Sequence, residues 1–303
     1  MYIQQNPFDN LKFFLRQKNI LSRLILINLI VFVLVNLVSL ILWLFGINSG
    51  IQTQFGISPI AYWFAAPSNP GLLIQKPWTI FTYMILHEDF FHILMNMIML
   101  YFGGRIFMEY LNERKLLSTY IGGGLFGGLL YVISFNYFPV FQESVKYSVA
   151  LGASASVLAI FIAIASYVPN YYVNLFFIGR VRLKHIAIFF IIIDLLSIQG
   201  TNSGGHIAHI GGALYGFGYI YLLKNGFSLN KYFSLSKFNY RKTKQKKYSN
   251  PEYKRPVSDD DYNRKKVSQQ KEVDKILEKI SKSGYSSLTK KEKEFLFKNS
   301  NKK

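Results

Sequence analysis

LSRLILINLIVFVLVNLVSLILWLF, residues 21–45, is the stretch on which the fold turns. Little beyond Asn28, Asn36 and Ser39 interrupts its apolar run. A mainly apolar run of about 18 or more residues is long enough to cross about 30 Å of hydrocarbon at about 1.5 Å per residue. Lys12, Arg16, Lys18 and Arg23 lie before or at its start. The run is nevertheless too long for the apolar part of a cleavable leader, and it ends without an A-x-A site. We expect it to remain as a first membrane helix after a short N-terminal segment, 1–20.

Working outward, further apolar runs occupy 90–111, 116–137 and 149–168, the last ending before Pro169. A fifth, 186–198, is short and needs residues 183–185 or 200 to extend it, or a locally thinned bilayer. A sixth, 206–223, is glycine-rich and uncharged. Between the first two runs, 46–87 is rich in Gly, Pro and interface-seeking aromatics, including Tyr62, Trp63, Phe64 and Trp78. The expected fold is all-α, a polytopic six-helix membrane domain over 21–223.

The 303 residues carry no cysteine, which removes disulfides, thiolate metal sites and thiol nucleophiles together. Net charge is +19, of which the part from Lys224 onward supplies 23 basic and 9 acidic residues, or +14. The N-terminal cluster, residues 112–115, the loop with Arg180, Arg182 and Lys184, and the tail all fall on one face of a six-span chain. By the positive-inside rule that face is cytoplasmic, and both termini with it. A basic segment beside the last span reads as a partner for anionic lipid rather than for nucleic acid. Residues 224–270 are expected to be a disordered basic linker. In 271–303, Val273, Ile276, Leu277 and Ile280 recur at helical spacing, Gly284 stops the run, and Thr289 with Glu292 forms a capping box, so a small helical pair is expected.

Polar side chains inside a span cost roughly 2.5–3.5 kcal/mol each by insertion scales and so need a reason. His92 and Asn96 lie four apart on one helical face of the second span. Ser154 lies near the outer end of the fourth, within Leu151-Gly152-Ala153-Ser154-Ala155-Ser156, and His209 one turn inside the sixth. The topology, inferred from basic residues, puts all of them at similar depth beneath the outer surface. Ala208, Gly212 and Gly216 form a small-residue ridge that lets helices approach closely enough for a Ser–His hydrogen bond. Singly, each has a plain structural reading, as packing serine or helix glue; together they point to a site.

His87, His92-x-x-x-Asn96, Gly152-Ala153-Ser154-Ala155 and the run 208–216, AHIGGALYG, resemble the signatures of the rhomboid family. The resemblance covers roughly 21–223 and implies an intramembrane serine endopeptidase of a bacterial inner membrane, without cofactor or metal. Its substrates would be the transmembrane segments of other membrane proteins. It implies Ser154 as nucleophile and His209 as general base, a dyad with no required acid. His92, Asn96 and the Ser154 N–H would hold the oxyanion, and the Gly152 region would shape the turn. Residues 276–300 resemble a helical segment often appended to rhomboid proteins of Bacteroidetes.

The chain departs from the pattern at Ala155, where many members have Gly, and at Leu158, where many have an aromatic that packs on the catalytic histidine. His209 is therefore expected to be held differently. Trp78-Thr79 replaces a Trp-Arg pair and bears on how the first outer loop is anchored. His87 and His92, five apart, stand about 140° around a helix from each other and would not share a metal face. Asp194 reads first as a helix-to-helix hydrogen bond or a solvated gate position, and second as an orienter of His209. The rival function is a catalytically silent relative that binds membrane helices. A solute transporter would show inverted repeats, which the sequence lacks.

Overall fold

The computed structural model describes residues 19–47, 57–175, 178–227 and 272–300. Two compact units divide the chain, one up to Leu235 and one from Ser236. The segment expected at 1–20 and the linker expected at 224–270 lie almost wholly outside the described residues.

Among the described residues of the first unit, six helices of 14 residues or more follow the apolar runs: α1 Ile20–Leu44, α2 Phe90–Tyr110, α3 Glu113–Tyr137, α4 Ser154–Tyr167, α5 Leu183–Leu196 and α6 Ser203–Lys224. Their starts are written in the sequence as capping side chains that accept an orphan N–H of the first turn. Asn19 caps α1, Asp89 caps α2, Asn112 caps α3 and Asn202 caps α6. Three helices, α1, α2 and α3, are long and apolar enough to cross a membrane by length and composition. At 14 residues each, α4 and α5 span about 21 Å. Glycine and polar residues dilute the 22 residues of α6.

The centre of the unit is α4, buried without a break from Ala155 to Ala165. A helix that is apolar all round belongs inside, and α2, α3, α5 and α6 all pack on it. Glycines make the approach possible on two sides. A Cβ on Gly212 would lie 2.1 Å from the Ala155 carbonyl oxygen, one on Gly216 2.2 Å from that of Ala159, and one on Gly123 2.2 Å from the Ala159 methyl. The small residues at the start of α4 and the Gly212–Gly216 ridge of α6 thus meet backbone to backbone. On the outside, α1 exposes Leu26, Ile30, Leu34 and Leu37, and α5 exposes Ile188, Phe189, Ile192 and Leu196, surfaces suited to lipid.

The fourth run differs from its expected range of 149–168. Val149 and Ala150 leave the helical path to pair antiparallel with Pro67 and Ala66, and Gly152 takes φ of 123°, so α4 begins only at Ser154. The loop before α2 is anchored without an arginine. Buried Lys76 places its ammonium 3.3 Å from the centroid of the Tyr62 ring, Trp78 Nε1 donates to the Trp63 carbonyl at 2.8 Å, and Thr82 Oγ1 donates to that of Phe64 at 2.7 Å. Between α4 and α5 the strands Tyr172–Leu175 and Gly179–Arg182 pair antiparallel.

In the second unit, helix 272–283 ends at Gly284, φ 74°, and a second helix spans Lys290–Ser300. The Thr289–Glu292 box is formed: the Glu292 carboxylate accepts the Thr289 N–H at 2.7 Å, and Glu292 N–H reaches back to Thr289 Oγ1 at 3.4 Å. Lys279 Nζ adds contacts to the same carboxylate at 3.0 and 3.1 Å.

Candidate active site

Ser154 is the first residue of α4, and it is half-buried. Unlike α1, α2, α3 and α6, this helix has no capping side chain, because its Ncap residue is Ala153. No side chain therefore accepts the amides of its first turn, which lie at the positive end of the helix dipole. The neighbouring Ser156 is fully buried between the residues facing Gly124, whose Cβ would lie 2.5 Å from the Ser156 Oγ. Of the two serines, Ser154 is the one a substrate can reach.

The turn leading to Ser154 is fixed from the loop before α2. Gly152 N–H donates to the Tyr83 carbonyl at 2.8 Å, and Ala153 N–H donates to His87 Nε2 at 3.2 Å. His87 is completely buried, and that burial, with His92 nearby, pushes its pKa down to about 3. It is a neutral imidazole whose Nε2 lone pair is already used, so it is not free to ligate a metal with His92. The His92 ring lies across Gly152, where a Cβ would come within 2.7 Å of its Cε1 and 2.9 Å of its Nε2. The positive φ and the ring together restrict position 152 to glycine. Buried Asn96 commits one Nδ2 hydrogen to the His92 carbonyl at 2.9 Å, leaving the second.

His209 stands on α6, next to Ala208 and three residues before Gly212, the glycine that meets the Ala155 carbonyl. Ala155 directly follows Ser154, so the closest crossing of α4 and α6 brings the serine and histidine helices together at the site. His92 and His209 lie within electrostatic reach of each other. Ala155 is accommodated by Gly127 of α3, whose Cβ would lie 2.7 Å from the Ala155 methyl and 2.6 Å from the Ala208 carbonyl. Among the described hydrogen bonds, none joins Ser154 Oγ to His209. His209 Nδ1 is instead 2.8 Å from Asp194 Oδ1, which leaves Nε2 as its second ring nitrogen.

Asp194 of α5 is buried, and the same Oδ1 lies 2.8 Å from Nδ1 of His206. The helix-to-helix hydrogen bond expected of Asp194 is present, and one of its partners on α6 is His209 itself. His206 was not singled out from the sequence; its i, i+3 relation to His209 near the N-terminal end of a helix was the available signal. The ligating atoms of Asp194, His206 and His209 all lie within 4.8 Å of one another, the one grouping among the described residues that could hold a metal ion.

The description "Rhomboid domain" fits residues 75–226, half of the chain, which takes in every residue of this site. The chain belongs to the rhomboid family. It is therefore a multi-pass membrane protein, and the three long apolar helices agree with that. The "RHOMBOID-like protein 12, mitochondrial" of Arabidopsis thaliana is 32% identical over 144 residues, 45% of this chain and 43% of that protein. The rhomboid chain thus spans less than half the length of that curated relative. Residues 258–302 match a family of unknown function (DUF6576).

Proposed function

We propose that the protein is an intramembrane serine endopeptidase that cleaves transmembrane segments of other membrane proteins with Ser154 and His209. The observation that carries this reading is the pairing of an uncapped helix N-terminus bearing Ser154 with a glycine-lined crossing of α4 and α6 beside His209. Ser154 Oγ attacks the scissile carbonyl while His209 Nε2 takes its proton. The oxyanion is received by the Ser154 N–H, the free hydrogen of Asn96 and His92. His209 then protonates the leaving amine; water deprotonated by the same imidazole attacks the acyl carbon, and Ser154 Oγ leaves with the proton returned by His209. One oxyanion donor is worth about 10²–10³ in rate.

Six crossings support this chemistry even though α4 and α5 are short, because α4 is wrapped by protein rather than lipid. The basic residues favour both termini inside a bacterial plasma membrane, with the site opening outward. Membrane lipid is then the surrounding partner, and the lysine-rich tail meets anionic headgroups rather than nucleic acid. The domain reading keeps 21–223 as the membrane unit, 224–270 as linker and 271–303 as a separate helical segment.

The test is cleavage of a model transmembrane substrate by purified protein in liposomes. Ser154→Ala and His209→Ala each abolish cleavage while leaving the melting transition in place. Absence of wild-type cleavage across several substrates, with tight binding unaffected by Ser154→Ala, would replace this reading by that of a silent helix-binding relative.

A further inference from the structure

We propose that Asp194 is a positioning residue for His209, holding the imidazole in the tautomer that can accept the serine proton; this rests on the serine-peptidase reading above. A carboxylate within membrane-embedded protein needs strong partners to remain there. Asp194, 5% exposed, has two, the Nδ1 atoms of His206 and His209, each 2.8 Å from the one oxygen Oδ1. The two rings stand nearly perpendicular, at 82° and 5.8 Å between centroids, so each can approach a different lone pair of that oxygen.

An anionic Oδ1 accepts and never donates. Both histidines must therefore carry their proton on Nδ1, and both leave Nε2 with its lone pair free. For His209 that nitrogen is the one left to accept the serine proton. The negative charge also stabilises the imidazolium that forms as the serine proton arrives. The remaining fully buried residues of α5, Leu183 and Ala187, lie toward its other end, and Asp194 is the buried residue of its last turn, beside partly buried Phe190 and Ile191. A tether alone would be satisfied by His206; the second bond goes to the proposed base.

The experiment compares wild type with Asp194→Asn and Asp194→Glu for kcat and KM on the model substrate, with melting in detergent as the folding control. Asparagine keeps the size and loses the charge, whereas glutamate keeps an anionic acceptor and strains the packing. A positioning role predicts that Asn lowers kcat by about 10² or more with KM within about threefold, and that Glu recovers to within about tenfold of wild type. A purely structural tether predicts the reverse order, with Glu the worse variant, and that result, or an Asn variant within about threefold of wild type, overturns the proposal. Loss of cleavage in wild type itself, or persistence in Ser154→Ala, counts against the peptidase reading and not against this step alone. Should the Asn variant fail to fold, ¹⁵N-histidine spectra of the unaltered protein at neutral pH decide: His209 protonated at Nδ1 supports the assignment, and protonation at Nε2 overturns it. Stoichiometric zinc in the purified protein, lost in Asp194→Asn, would reassign the cluster to a metal and overturn it equally.

Discussion

Replacing Gly212 with alanine tests the helix crossing on which the site depends. The new methyl would sit 2.1 Å from the Ala155 carbonyl oxygen, where ordinary van der Waals contact begins at 3.4 Å. The deficit is about 1.3 Å, and backbone on both sides means no side chain can swing away. Either α6 withdraws from α4 by about an ångström or both helices tilt, at an overpacking cost of about 1–3 kcal/mol. His209 is on the moving helix and Ser154 on the stationary one, and misplacement by about 1 Å lowers a positioned reaction by about 100-fold. The assay is kcat on the model substrate alongside the melting temperature in one detergent. Gly218→Ala on the same helix is the control, since a Cβ there meets nothing within 4 Å; it should stay within about 0.5 kcal/mol of the parent, as substitutions away from packed features do. Wild-type cleavage and melting in Gly212→Ala would refute the close backbone crossing and the reasoning built on it.

Gly152→Ala is expected to cost about 1–3 kcal/mol of stability for its φ of 123° and, by displacing the His92 ring, at least tenfold in cleavage; the same two measurements check it. His87 is neutral when folded, with a pKa near 3 against an unfolded 6.5, so its contribution is fully present above about pH 6.5 and is lost as pH falls toward 3. At pH 5 the loss is about 2 kcal/mol, read as a lower melting temperature that His87→Gln makes less steep with pH. In the C-terminal unit, Thr289 and Lys279 hold the Glu292 carboxyl down to about 2 from 4.5, so helicity there should weaken as pH falls below about 4.5, and Glu292→Gln should remove that dependence in circular dichroism of a peptide spanning the two helices.

The long apolar runs located α1, α2 and α3 to within a few residues, since lipid imposes length and composition on a crossing helix. The start of α4 was not legible, because Val149 and Leu151 are as apolar as the helix they precede. What diverts the chain is the pairing of Val149 and Ala150 with Pro67 and Ala66, some 80 residues earlier, and Gly152 at positive φ. The site residues could be chosen from shared depth and spacing, but not their partners. His87 became a support for the Ala153 amide, and Asp194 reached His206 and His209 together, through helix rotations that no periodicity encodes. Leu158 offers no ring to His209, whose Nδ1 lies 2.8 Å from Asp194 Oδ1. The Thr289–Glu292 box, by contrast, is local chemistry across three residues, and it formed as written.

The unequal helix lengths have a consequence for the surrounding bilayer. On one flank α1, packed on α2 and α3, presents 25 mostly lipid-facing residues, about 38 Å of rod; on another, α5, packed on α4 and α6, presents 14, about 21 Å. Hydrocarbon of about 30 Å fits neither wall. With both helices crossing, acyl chains must stretch or α1 must tilt on the first flank, and chains must compress on the second. On the six-crossing proposal, the membrane domain would have its thinnest collar of lipid beside the helix that carries Asp194. On that proposal, shortening the acyl chains of the host vesicles would relieve that collar while straining the opposite one, and lipid chain length would bear on the site without any residue being changed.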